Sequence, residues 1–210
     1  MTDGEDFVER IESENQTELS RLGSSKSLYA ATEGEIDVDP VLRATADAEY
    51  AAWQTFESWA ESEGDDRARE VFEAAADEEE GHYETVVDEL GDHDPEEGET
   101  PALHDYLRGL EDTPERLGGL VGRTLASERS KSQVVGFFVG DADPQTAALF
   151  REFGDDLDDQ LDRALDALEA ACTDEEIERA EEAATGAIGA AYEEYVEVLE
   201  GMGANPKPVC

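Results

Sequence analysis

Apolar residues recur at helical spacing along most of the chain, and no stretch alternates as a half-buried strand does. The clearest stripes lie within residues 40–90. Leu42, Ala46, Glu49, Trp53, Phe56 and Ala60 form one, and Ala68, Phe72, Ala75, Glu79, His82 and Val86 form the other. Their spacing puts each set on one face of a helix. Ser62-Glu63-Gly64-Asp65-Asp66 between them reads as a polar turn, so the pattern predicts an antiparallel hairpin of helices. Asp39 is the expected N-cap, with Pro40 at the first helical position. Upstream, Phe7, Ile11, Leu19, Leu22 and Tyr29 predict one helix over about 4–32, weakest at 22–29 where glycine and serines cluster. Downstream, a polar connection over 91–101 leads to a short helix near 102–110. A helix opened by Thr113-Pro114-Glu115 then runs to about residue 139, and another opened by Asp143-Pro144 runs to about 171. Thr173 and Glu176 form a capping box for a last helix ending at Gly201, with the seam Ile177, Ala180, Ala184, Ile188, Ala191, Tyr195, Val198 and Met202. The reading is all-α. Residues 39–171 form a four-helix bundle with one long crossover, residues 1–38 add a helix before it, and residues 172–210 add a helix and tail, all packed as one domain.

Three seam positions are ionisable. Glu49 and Glu79 each stand 15 residues from Gly64, so in the hairpin they lie at one height, with His82 one turn further on. A buried carboxylate costs several kcal/mol, roughly, unless it is paired or binds a cation. The expectation is therefore a metal site, with a metal-free hydrogen-bonded cluster left from a lost site as the alternative. The next helix has the stripe Leu117, Val121, Leu125, Glu128, Val135 and Phe138, which makes Glu128 a candidate fourth ligand. Arg123, Arg129 and Lys131 are near enough in sequence to pair with it instead. The helix after that has the stripe Phe150, Phe153, Leu157, Leu161, Ala164 and Leu168. It carries no second Glu-x-x-His. Asp156 and Asp159 fall on its wet face with Glu152 and Arg163, and Gln160 borders the inward stripe as a possible neutral oxygen donor. His93 and His104 read as solvated loop histidines, and Cys172 as structural.

Hairpin, long crossover, hairpin is the ferritin-like arrangement. Residues 40–90, with the Glu49 helix followed by Phe72…Glu79-x-x-His82-Tyr83, resemble the first half of a rubrerythrin-type ferritin-like domain, and the bundle resemblance extends over about 40–170. The tail Asn205-Pro206-Lys207-Pro208-Val209-Cys210 is similar to that of haloarchaeal proteins described as rubrerythrin-like, some of which carry a transcription antitermination label. The resemblance implies a carboxylate-bridged iron pair that reduces peroxide or oxidises iron. Glu49, Glu79 and His82 would be ligands, and Glu128 a possible bridge. Oxygen-rich ligation with one imidazole suits iron or manganese. The second half-site and the Cys-rich electron-transfer module are missing, so electrons would come from a separate donor protein. A homo-oligomer is expected. The other function class is a non-enzymatic helical scaffold or regulator that kept the bundle and lost the metal.

Charge narrows these readings. Lys+Arg 15 against Asp+Glu 57 leaves a formal net charge of −42, which repels a phosphate backbone and argues against direct nucleic-acid contact. Only Lys26, Lys131 and Lys207 are lysines. An acid-coated, lysine-poor surface suits a halophilic protein in molar salt, where the Debye length is about 3 Å. No run approaches the roughly 18 apolar residues of a membrane span, and the start has no signal-peptide pattern. The expectation is a cytoplasmic protein. Cys172 and Cys210 make no CxxC motif, and a redox or metal role for Cys210 stays open.

Overall fold

A computed structural model describes residues 4–95 and 100–207. All regular structure among them is helical, and none of the described helices is long and apolar enough to cross a membrane. The expectation for Cys210 and the end of the tail lies outside the described residues.

The single helix expected over 4–32 is three: α1 (Gly4–Glu14), α2 (Gln16–Leu22) and α3 (Ser25–Ala31). The second break falls at Gly23-Ser24, in the weak stretch. The first falls at Asn15, whose buried side chain donates to the Ile11 carbonyl and to Thr185 Oγ1. A side chain that competes for backbone partners in this way interrupts a helix. The hairpin is α4 (Val38–Ser62) and α5 (Asp66–Leu90). Asp37, not Asp39, caps α4, its carboxylate accepting from the Val38 amide. Asp65 caps α5, and Gly91 ends it with φ 86, a conformation that suits glycine. After the short α6 (Ala102–Arg108) comes α7 (Thr113–Gly140), capped by Asp112 instead of Thr113. α8 (Pro144–Ala171) and α9 (Asp174–Gly201) follow, the last with its complete Thr173/Glu176 capping box.

α4 packs along α5, α7 packs along both α8 and α9, and α5 meets α8. α4 and α7 come together less closely. The first three helices and α6 lie mainly against α7, α9 and α4. Among the described residues three apolar clusters fill the interior, the smallest of them Leu22, Ala30, Ala126, Tyr195 and Leu199. The largest holds Phe56, Phe72, Val121, Leu125 and Ala164, and the second holds Ala46, Val86, Val134, Phe150 and Phe153. Between these last two clusters α4, α5, α7 and α8 bury the polar side chains of Glu49, Glu79, His82, Arg123, Lys131 and Gln160, so a charged layer crosses the core.

The contact of α7 with α9 depends on glycine. A Cβ at Gly118 would lie 2.1 Å from the Ala180 carbonyl oxygen, and one at Gly122 would lie 2.2 Å from that of Ala184. The two helices therefore run parallel with their backbones touching. Tyr106 from α6 fills the space at Gly186 in the same way. Gly122→Ala should thus force α7 and α9 apart and cost about 1–3 kcal/mol, the usual penalty of overpacking, read as a lower denaturation midpoint. Gly136→Ala, where nothing lies within 4 Å, should leave the midpoint unchanged or raise it slightly.

Candidate functional site

The hairpin brings Glu49, Glu79 and His82 together. All three are buried, and one ligand atom from each lies within 4.8 Å of the others. Equal distance from the turn explains the level match of Glu49 and Glu79.

Glu128 does not join them. It is exposed on the outer face of α7, which corrects the expected stripe. Because α7 is covered on two sides, its buried face is broad: Leu117, Leu120, Val121, Thr124 and Leu125 lie inside. From Leu125 onward the inward line runs through Lys131, Val134 and Phe138, one position away from the line through Glu128 and Val135. Arg123 and Lys131 enter the site instead.

The Arg123 guanidinium grips Glu79 with two parallel bonds, Nη1 to Oε1 and Nη2 to Oε2, each 2.8 Å. Gln160 completes the clamp: its Nε2 donates to Glu79 Oε1 at 2.8 Å, and its Oε1 accepts from Arg123 Nη1 at 3.1 Å. Lys131 Nζ donates to Glu49 Oε1. His82 Nε2 is 2.8 Å from Asp156 Oδ2, and its ring stacks on Phe153. Its Nδ1 sits 3.7 Å from Glu79 and 4.0 Å from Glu49 without a hydrogen bond. Asp156, expected on the wet face, is half-exposed and reaches inward to the imidazole, whereas Asp159 is exposed. The arrangement carries Glu49, Glu79 and Asp156 against Arg123, Lys131 and His82.

The two glutamates differ electrostatically. Burial pushes both carboxyls up. Arg123 overrides it at Glu79 and holds that carboxyl well below the usual range. At Glu49 burial wins over Lys131, with Glu79 adding to the upward shift. His82 is also raised: burial opposes its charge, but the carboxylates of Glu79 and Glu49 outweigh it.

Whether iron fits depends on the oxygens. Three donors within 4.8 Å suit the first shell of one ion. Three of the four glutamate oxygens, however, already accept from Arg123, Gln160 or Lys131, and the fourth, Glu49 Oε2, accepts no hydrogen bond but lies 3.9 Å from Arg123 Nη2. Arg123 stays charged at any ordinary pH. A unit charge about 4 Å from a divalent ion repels it by roughly 8 kcal/mol at an effective dielectric near 20. With Glu128 outside and Gln160 donating its amide to Glu79, the residues do not fit a pair of ions.

Comparisons with protein-family models, with curated proteins and with solved structures find no match. The site is read from its own chemistry.

Sequence reasoning passed over two histidines. His104, expected in solvent, is buried, and burial lowers its pKa to about 3, with Arg123 adding to the effect. The Thr55 hydroxyl donates to the Ala51 carbonyl, so His104 Nδ1 is the donor in the 3.3 Å contact with Thr55 Oγ1. His93 bridges Asp47 and the Tyr83 hydroxyl. Arg123 was legible in retrospect: it is the one charged residue between Leu117 and Ala126.

Two predictions arise here. Arg123→Met leaves Glu79 buried without its cation and should cost about 3–5 kcal/mol, whereas adding Glu79→Leu should recover much of that loss. A double-mutant cycle by chemical denaturation reads the coupling. For His104, folding favours the neutral ring. Its contribution is complete above the unfolded pKa near 6.5 and is lost as pH falls toward about 3. The limit is roughly 5 kcal/mol. His104→Phe should flatten the stability curve across that window.

Proposed function

We propose that this chain is a ferritin-like four-helix bundle related to the rubrerythrins that works without metal, as a non-enzymatic binding or regulatory protein. The order of helices supports the bundle: one hairpin, a crossover through α6, a second hairpin, and α5 against α8. The single observation that carries the metal-free part is the double grip of Arg123 on Glu79, beside the Lys131 bond to Glu49. Two cations belonging to the chain pair with the carboxylates that the resemblance would give to metal ions. They neutralise the carboxylates and hold them in place, and a guanidinium offers no redox chemistry. Under this reading no electron donor is needed.

A second reading keeps one iron or manganese ion on Glu49, Glu79 and His82, favoured by their 4.8 Å clustering. It requires Lys131 to yield Glu49.

Metal analysis of protein purified in molar KCl separates the two, with Glu79→Ala and His82→Ala as controls. The metal-free reading expects equal, sub-stoichiometric metal in all three and no peroxide turnover. One ion per chain in the parent, lost in His82→Ala, overturns it. Lys131→Met, which frees the paired oxygen of Glu49, should bind manganese more tightly than the parent.

A further inference from the structure

The weak contact between α4 and α7 leaves a solvent-open cavity of about 400 Å³, flanked by α3, α6 and α9. Such a volume suits a small organic molecule. Much of its wall is aliphatic, including Leu28, Val41, Leu103 and Val134. Its buried end is formed by Glu49, Lys131, Arg123 and His104, and Glu33, Asp47 and Glu194 line the rest. Asp47 is paired with His93 and Glu194 accepts from the Ala102 amide, while Arg123 has committed both terminal nitrogens to Glu79. Glu49 is 1 % exposed, and its Oε2 accepts no hydrogen bond, with Arg123 Nη2 and His82 Nδ1 standing off at 3.9 and 4.0 Å. His104 gives its Nδ1 hydrogen to Thr55, so its remaining nitrogen is also an acceptor. The cavity has an unbonded carboxylate oxygen at its buried end, carboxylates along its wall and an apolar lining.

We propose that this cavity binds a small primary ammonium ion with a short alkyl body, its N–H groups donating to the Glu49 carboxylate and its methylenes lying on the aliphatic wall. A buried acceptor without a donor is costly, and a ligand that supplies one relieves the cost. The carboxylates along the cavity raise the local concentration of cations over anions. Buried pairing with Glu49 is screened far less by salt than the surface charge is. The inference rests on the metal-free reading, because an ion on Glu49 would take the same oxygen.

The test compares n-butylammonium with n-butyrate, its anionic counterpart of similar size, on the full chain in molar KCl and EDTA. Thermal unfolding and the His104 ring resonances are the readouts. Butylammonium should raise the unfolding temperature saturably and shift the His104 signals, and butyrate should do neither. Glu49→Gln should weaken binding at least tenfold. Ala48→Phe, which places a ring in the cavity, should abolish it while the chain still melts cooperatively. Tighter binding of butyrate, no response to either compound, or an unchanged response in Ala48→Phe overturns the proposal, and the first and second of these need no variant. Butylammonium binding in EDTA that manganese then displaces supports the cavity site and overturns only the metal-free reading.

Discussion

A buried, doubly bonded Arg123–Glu79 pair is the interaction on which the interior depends. Glu79 is fully enclosed and still ionised, because the guanidinium supplies both a charge and two directed donors. Gln160 bonds to both partners and ties α8 to the same point. Lys131 and Glu49 extend the layer to α4. Such a layer adds little net stability over a hydrophobic one of equal volume, but it penalises any register that leaves a charge unpaired. In this chain it joins four helices at one height between two apolar clusters.

The arrangement also explains why α7 is the central helix. Its polar side chains reach α4 and α5, one flank packs on α8, and Gly118 and Gly122 bring α9 against the other. Backbone contact with α9 holds α7 from behind, while the long side chains of Arg123 and Lys131 bridge the gap toward α4. The cavity occupies the part of that gap which they do not fill. Close packing on one side of α7 and a ligand-sized opening on the other are thus linked features.

On the metal-free reading the site differs from a carboxylate metal centre in the origin of its positive charge. A metal centre loads its cation from solution, so its charge balance depends on supply, whereas Arg123 and Lys131 are covalently part of the fold. The remaining asymmetry is chemical. Glu79 is saturated with donors, Glu49 has one oxygen left over and an upward-shifted carboxyl, and the opening lies on the Glu49 side.

Periodicity by itself determined the helices from α4 onward, because an apolar stripe at helical spacing has one local solution, but it ran α1, α2 and α3 together as one helix. It also placed Glu49, Glu79 and His82 together, since equal distance from a short turn imposes equal height. The start of α9 was legible from its capping box, and the weak point at 22–29 from its small residues. Only the tertiary structure decided what meets those carboxylates. α7 is buried on more than one side, so its apolar pattern admits two inward lines after Leu125, and packing against α8 and α9 chose the one with Lys131 over the one with Glu128. The burial of His104 and the inward reach of Asp156 were likewise invisible along the chain. Each depends on which neighbouring helix covers a residue, a property of how the helices assemble and not of any one segment's spacing.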